Sequence, residues 1–325
     1  RGHQGRGERE GERIMKFVTI DSQPEGRPGV LVGEEILDLA RVPGAEGVPN
    51  SVKGILAGGT AALDRVRWLV DGAAGKEQAR LRDAGAILPR ASTKLMAPIP
   101  RPNLLLSAGM NYHEHLKEMG SAPPPHPTAF IKNVESITGP GSPIMLPPQC
   151  PDMVDFEGEF SVVIGRTCHN VTADQVMDYV AGYTIINDVS ARNWVDGYKN
   201  AQGKIAAQFA WELNILGKQL PTFTPMGPVV VTKDEIKDDR NLRLTTTLNG
   251  TVMQSTSTSD LVYGVREVVA HFSKFYRFVA GDVISTGSPS GVGFARKPPV
   301  FMRDGDVVAV TAEGVGTLEN PVKAS

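Results

Sequence analysis

What limits the possible folds of this chain most strongly is a series of short strand-like segments that fills the sequence after residue 95. These segments are rich in β-branched residues and are separated by turn pairs such as Asn249-Gly250. Helical periodicity is less frequent there, with candidates at residues 111–119, 172–179 and 260–276. Because strands and helices do not alternate regularly, the pattern indicates an α+β fold in which strands dominate, and not a βαβ fold.

Composition and prolines divide the chain into three parts. Residues 1–14 are polar, glycine-rich and mixed in charge, and they are predicted to be a disordered leader or extension before Met15. Residues 15–95 combine strand-like alternation with two helical segments, which predicts a small N-terminal domain. Prolines at 89, 98, 100 and 102 disfavour a helix, which predicts a domain boundary near residue 95 and a larger second domain over residues 96–325.

The composition argues against nucleic-acid and membrane partners. A net charge of −2 over 325 residues gives no basic excess that would attract nucleic acid. No apolar run approaches the roughly 18 residues that a membrane-spanning helix needs. Cys150 and Cys168 are the only cysteines, which is too few for a disulfide framework. We therefore expect a soluble, cytoplasmic protein with no nucleic-acid or membrane partner.

Three carboxylates form the first candidate site. Glu157 and Glu159 are two residues apart in DFEGEFSVVIG, so on a strand they project from the same face, and Asp188 follows the apolar run of the next strand. Close like charges repel, and a bound cation would relieve the repulsion. Oxygen donors without histidine or cysteine favour Mg²⁺ or Mn²⁺, with Ca²⁺ a further candidate in crystals. The alternative is a solvated face of an edge strand, which spacing alone does not exclude.

A histidine and a glutamate form the second candidate site. His115 and Glu118 are three residues apart on a short predicted helix, where the carboxylate can orient the imidazole to take a proton from water. Flanking glycine and proline make this helix marginally stable alone, as suits a lid that orders on substrate binding. The alternative is a surface salt bridge.

These motifs and several others occur in one order that resembles the fumarylacetoacetate hydrolase superfamily, in particular its acylpyruvate hydrolase and 2-hydroxyhepta-2,4-diene-1,7-dioate isomerase types. The similarity runs from about Met15 to Val322. It is carried by GMNYHEHLKEMG, GPGSPIMLP, VDFEGEFSVVIGR, YVAGYTIINDVSAR, GDVISTGSPSGVG and GDVVAVTAEGVGTLENPV. The resemblance implies a β-rich, barrel-like catalytic domain, a small N-terminal β domain and a homodimer.

The resemblance also implies a role for individual residues. The metal ligands are Glu157, Glu159 and Asp188, and the catalytic residues are His115, Glu118 and Lys218. The residues expected at the substrate, a small 2-oxo acid, are Gly287, Ser288, Arg192 and Lys132.

The chain departs from the family pattern in two places. An insertion, NWVDGYKNAQGKIAAQFAWELNI, separates Asp188 from Lys218, and Val195 stands where a glutamine commonly follows the VSAR motif. Ser288 stands where many members have threonine, and this exchange keeps the hydroxyl.

The resemblance implies a divalent-metal-dependent hydrolase that cleaves a carbon–carbon bond in an acylpyruvate-like 1,3-dioxo acid through a metal-bound enolate. Oxaloacetate decarboxylation and 2-hydroxydienoate isomerisation are alternatives, because both pass through the same enolate without attack by water. A non-catalytic member with a structural cation is a third alternative, although the intact pair of His115 and Glu118 argues against it.

Overall fold

The computed structural model describes residues 15–22, 25–73, 76–193 and 200–325. The predicted leader, residues 1–14, and Val195 in the insertion lie outside the described residues. The helices are α1 (Val52–Ala57), α2 (Gly59–Gly72), α3 (Lys76–Asp83), α4 (His113–Glu118), α5 (Lys204–Leu216) and α6 (Val265–Ser273). The strands are β1 (Lys16–Ile20), β2 (Arg27–Val32), β3 (Glu35–Asp38), β4 (Ile87–Pro89), β5 (Leu95–Met96), β6 (Leu105–Gly109), β7 (Thr128–Ile131), β8 (Ile137–Thr138), β9 (Ile144–Leu146), β10 (Val154–Asp155), β11 (Gly158–Ile164), β12 (Val180–Asn187), β13 (Ser190–Ala191), β14 (Thr224–Thr232), β15 (Arg243–Leu248), β16 (Thr251–Ser257), β17 (Val283–Ser285), β18 (Val307–Ala312) and β19 (Gly316–Ala324).

Most of the strands belong to one large mixed sheet. Its order is β4-β3-β2-β1-β14-β12-β11-β17-β6-β7, with β5 paired to β1 and β8 paired to β14. A second sheet has the order β16-β15-β18-β19-β9, and β10 pairs with β13 alone. The predicted strand-dominated α+β fold is confirmed.

The N-terminal strands continue the large sheet of the rest of the chain. Strand β1 pairs antiparallel with both β2 and β14. Helices α1 and α2 cover this part of the sheet, with Ile55 and Val66 in the same buried cluster as Phe17. The domain boundary near residue 95 stays a prediction.

Strand β11 lies at the centre of the fold. It pairs antiparallel with β12 on one side and with β17 on the other. Phe160 and Val162 pack into one buried cluster, whereas Val163 packs into another. Because both faces of β11 are covered, any charged side chain on it is withdrawn from water.

The helices are few and mostly short. The described residues contain no helix that is both long and apolar enough to cross a membrane. Part of the insertion forms α5, which ends shortly before Lys218. Of the segments expected to be helical, 111–119 contains α4 and 260–276 contains α6, whereas 172–179 contains only a 3-10 turn at Val176–Asp178.

Candidate active site

The three predicted carboxylates converge in the interior of the protein. Glu157 directly precedes β11, Glu159 lies within it, and Asp188 directly follows β12. The pairing of Gly158 with Asn187 brings these strand ends together, and the amide of Asp188 donates to the carbonyl of Glu157 at 2.8 Å. One oxygen from each carboxylate lies within 4.8 Å of the others. Since β11 is an interior strand, the alternative of a solvated edge does not apply.

Lys218 occupies the space between two of these carboxylates. Its Nζ donates to Glu157 Oε2 at 2.6 Å, to Asp188 Oδ2 at 2.8 Å and to Ser190 Oγ at 2.6 Å. Burial alone would lower the pKa of Lys218, but the Asp188 and Glu157 carboxylates outweigh it and raise the pKa. The lysine is therefore held as a cation.

Arg192 and Lys132 bring two further positive charges. Arg192 donates from Nε to Asp155 Oδ2 at 2.9 Å and from its terminal nitrogen to Glu157. Lys132 Nζ donates to Asp188 and to the carbonyl of Phe223, the latter at 3.0 Å. Burial lowers the pKa of Lys132 despite the Asp188 charge.

The carboxylates of Glu157 and Glu159 have opposite electrostatic environments. Burial would raise the pKa of Glu157, but Arg192 and Lys218 hold it below the usual range. Burial and the Asp188 and Glu157 charges raise the pKa of Glu159 well above its usual value. Within the described residues, Glu159 accepts hydrogen bonds only from two hydroxyls, Ser107 and Ser285. Glu159 is therefore the carboxylate that lacks a cationic partner.

The donor set fits a divalent metal ion. Four buried carboxylates, those of Asp155, Glu157, Glu159 and Asp188, face the three cations Lys132, Lys218 and Arg192, so the fully ionised cluster has one negative charge in excess. Oxygen-only ligands that lie this close together suit Mg²⁺ or Mn²⁺. The cluster could hold a metal ion. Glu159 would be stabilised most by the ion, because it has no other cationic partner among the described residues.

The predicted histidine–glutamate pair is present on α4. His115 Nδ1 lies 3.1 Å from Glu118 Oε2, and the two side chains are 12% and 25% exposed. The carboxylate of Glu118 also accepts from the backbone amide of Gly291, at 3.2 Å. Because Glu118 is held by a second segment of the chain, this pair is more constrained than an ordinary surface salt bridge.

The segment after β17 connects the carboxylates to α4. Ser285 in β17 contacts Glu159, Gly287 and Ser288 follow, and the amide of Gly291 reaches Glu118. Gly287 has a φ of +94°, and a Cβ on it would lie 3.1 Å from the carbonyl oxygen of Ala108. Only glycine fits this position without strain. Two of the residues predicted at the substrate, Gly287 and Ser288, therefore lie on the segment that links the carboxylates to α4.

Four residues of the site were missed in the sequence. Asp155 continues the alternation of Glu157 and Glu159 by one more step, and that periodicity was a usable signal. Ser107 and Ser285 are small polar residues inside apolar strands, which is a weak signal. Gln254, on β16, bonds to Ser288, and no local pattern marks it.

The fold and the carboxylate cluster define a class of strand-dominated proteins whose buried acidic site could hold a metal ion. The profile of the family described as Fumarylacetoacetate (FAA) hydrolase C-terminal matches residues 105–323, and the chain belongs to this family.

Relatives of this chain are enzymes. The human protein Oxaloacetate tautomerase FAHD2A, mitochondrial, is 42% identical over 236 residues, which are 73% of this chain and 71% of that protein. The solved fumarylacetoacetate hydrolase of psychrophilic Exiguobacterium antarcticum has a TM-score of 0.75 and 32% identity, covering 96% of this chain and 100% of that one. Maleylpyruvate hydrolase from Sphingobium sp. SYK-6, solved with manganese(II) ion and pyruvate, has a TM-score of 0.67 and 26% identity with the same coverage.

Proposed function

We propose that this protein is a divalent-metal-dependent enzyme that interconverts the keto and enol forms of oxaloacetate or a closely similar 2-oxo dicarboxylic acid. The observation that carries the proposal is the uncompensated carboxylate cluster, which one short segment joins to the His115–Glu118 pair. Two further points support it. The human relative is named an oxaloacetate tautomerase, and a similar hydrolase was solved with manganese and pyruvate.

Each residue of the site has a separate role in such a reaction. A metal ion held by Glu157, Glu159 and Asp188 would supply Lewis-acid stabilisation of negative charge on the substrate oxygen. When Glu118 accepts from Nδ1–H of His115, the other ring nitrogen is unprotonated and can take a proton from the substrate carbon. The imidazolium formed in this way can return the proton to the enolate oxygen, which completes the enol. Lys218 adds a positive charge that can turn from Glu157 and Asp188 toward the developing oxyanion when a metal ion takes its place at these carboxylates. We assign Ser288 and Gly287 to the substrate carboxylate, whereas Arg192 and Lys132 contact the metal-binding cluster directly.

Hydrolysis of an acylpyruvate is the second candidate function. The same base, His115, could activate a water molecule for attack on the distal carbonyl, and a structurally similar protein is a maleylpyruvate hydrolase. Oxaloacetate decarboxylation and 2-hydroxydienoate isomerisation use the same charge stabilisation without that water. A non-catalytic member with a structural cation is the remaining alternative.

A substrate and metal matrix tests the proposal. Purified protein is assayed with oxaloacetate, acetylpyruvate and fumarylpyruvate in the presence of Mg²⁺, Mn²⁺ or excess chelator. We expect accelerated keto–enol exchange of oxaloacetate that chelator abolishes. Faster cleavage of an acylpyruvate would favour the hydrolase, activity in chelator would overturn the metal mechanism, and no turnover of any 2-oxo acid would favour the structural cation.

The role of the base is tested at His115. His115→Ala should reduce turnover at least about a hundredfold, the usual contribution of general base catalysis, while calorimetric Mn²⁺ affinity stays close to that of the wild type. His113→Ala, an exposed histidine on the same helix, is the matched control. An unchanged rate in His115→Ala would remove the base from the mechanism.

Assembly and location belong to the same proposal. We propose a homodimer, as the family resemblance implies, and sedimentation velocity measures it directly. The expected cytoplasmic location stays a prediction, and the human relative is named as a mitochondrial protein. Imaging of the tagged full-length protein in its own cells decides between the two compartments.

A further inference from the structure

Gln254 is a buried amide on an outer strand of the second sheet. It lies on β16, and only 1% of its surface is exposed. Its side chain makes three hydrogen bonds: Oε1 accepts from the amide of Gly158 at 3.0 Å, and Nε2 donates to Ser288 Oγ at 3.0 Å and to the carbonyl of Pro289 at 2.9 Å. A buried side chain with all its partners on two other segments connects those segments.

The orientation of the Gln254 amide follows from its partners. The Gly158 nitrogen can only donate and the Pro289 oxygen can only accept, so the oxygen of the amide faces β11 and its nitrogen faces the segment after β17. The remaining contact, with Ser288, then has Gln254 as the donor. Ser288 Oγ is thus an acceptor toward Gln254, so its own hydroxyl proton is left for a different acceptor.

In this position Gln254 affects the site in two ways. Gly158 lies between the candidate metal ligands Glu157 and Glu159, so the amide joins the metal cluster to Ser288 by one rigid side chain. Gln254 also fixes Pro289, two residues before Gly291, whose amide holds Glu118 of the lid. The position of Ser288 relative to the carboxylates is therefore set by a residue that lies outside both.

We propose that Gln254 is a positioning residue for the substrate carboxylate: it holds Ser288 at a fixed place beside the metal cluster and obliges the Ser288 hydroxyl to donate its hydrogen bond to the ligand. This inference rests on the proposed function, because it takes the ligand to be a carboxylate bound beside the metal.

A double-mutant cycle with oxalate as the probe tests the proposal. Oxalate binding to Mn²⁺-loaded protein is measured by calorimetry for the wild type, Gln254→Met, Ser288→Ala and the double variant. Each single substitution should weaken oxalate binding roughly tenfold to a hundredfold, the range for a lost hydrogen bond to a charged group. The double variant should bind oxalate no more weakly than the weaker single variant, because both substitutions remove the same interaction.

Mn²⁺ binding without oxalate separates positioning from general damage. Gln254→Met should retain its Mn²⁺ affinity, whereas an equal loss of Mn²⁺ and oxalate affinity would show action through the β11 backbone and overturn the proposal. Thr258→Val removes a buried acceptor for the Leu242 amide, away from Ser288, and serves as the stability-matched control with unchanged oxalate affinity. Additive losses in the cycle would also overturn the proposal.

A second variant covers poor folding of Gln254→Met. Gln254→Glu keeps an oxygen that accepts from the Gly158 amide but puts a second oxygen in place of the donating nitrogen. This oxygen should accept a hydrogen bond from the Ser288 hydroxyl, so that the hydroxyl no longer donates to oxalate and binding weakens. Oxalate affinity equal to that of the wild type would overturn the proposal. If the Mn²⁺-loaded wild type itself binds neither oxalate nor any 2-oxo acid, the proposed function fails, and the inference fails with it. Oxalate binding that Gln254 variants leave unchanged refutes the inference alone.

Discussion

Lys218 both stabilises the carboxylate cluster and lies in the way of a metal ion. Its ammonium group neutralises Glu157 and Asp188, yet it lies where these two carboxylates would approach a metal ion. A divalent ion brings more charge than the ammonium, so the two cations compete for the same oxygens. We expect the lysine to move toward the substrate oxygen once the metal is bound.

Substitution of Lys218 should therefore destabilise the metal-free protein strongly and the metal-bound protein only slightly. Lys218→Met leaves buried carboxylates unpaired, so metal-free protein should lose about 3–5 kcal/mol in the free energy of unfolding. Mn²⁺ should recover most of this loss, while the rate falls about a hundredfold or more because a charge stabiliser is missing. Urea unfolding with Mn²⁺ and with chelator measures the two free energies of unfolding. A loss of stability that is equal in both conditions would contradict the competition.

At the scale of elements, the close packing of β11 against β15 holds the two glutamates in place. A Cβ on Gly158 would lie 2.1 Å from Thr246 Oγ1 and 2.8 Å from Val310 Cγ1. Gly158→Ala should therefore cost about 1–3 kcal/mol through overpacking and should weaken Mn²⁺ binding as the strand shifts. Gly72→Ala, at the end of α2 with open space around it, is the control that should not be destabilised.

Helix α6 contacts the proline-rich segment that follows α4 through a pair of stacked histidines. His271 stacks on His126 with ring centroids 5.2 Å apart. Burial, then the charges of His126 and Lys274, lower the pKa of His271 below 6.5. The unfolded chain therefore binds the proton first, so this stabilisation is present above about pH 6.5 and is lost as the pH falls through the folded-state pKa.

Replacement of His271 should reduce the loss of folding stability at low pH. His271→Gln should show a smaller decrease in the free energy of unfolding between about pH 7.5 and 5.5 than the wild type, because its side chain does not titrate. Urea unfolding at both pH values measures it, with the exposed His169→Gln as the control. An identical pH dependence in wild type and His271→Gln would show that the stacked pair does not contribute.

At the scale of the whole molecule, local patterns predicted the strand content but not which strands meet. The period of two in Glu157 and Glu159 placed both carboxylates on one face. Ser107 and Ser285 could not be found in this way, because β6 and β17 are far apart in sequence and become neighbours only through a parallel pairing in the sheet. Gln254 was missed for the same reason, since its partners lie on β11 and on the segment after β17.

A metal ion should stabilise the entire fold, because its ligands join the ends of two paired central strands, β11 and β12. At a free concentration 100 times its dissociation constant, an ion that binds only the folded state adds about 2.7 kcal/mol to the free energy of unfolding. Mn²⁺ and Mg²⁺ should give this gain in thermal or urea unfolding, and chelator should remove it.

Glu159→Gln should abolish most of this metal-dependent gain in the free energy of unfolding. The same substitution should stabilise the metal-free protein, because the raised pKa of Glu159 means that its negative charge is unfavourable there. Asp174→Asn, at an exposed carboxylate, should keep the full gain, and an equal gain in Glu159→Gln would place the ion elsewhere.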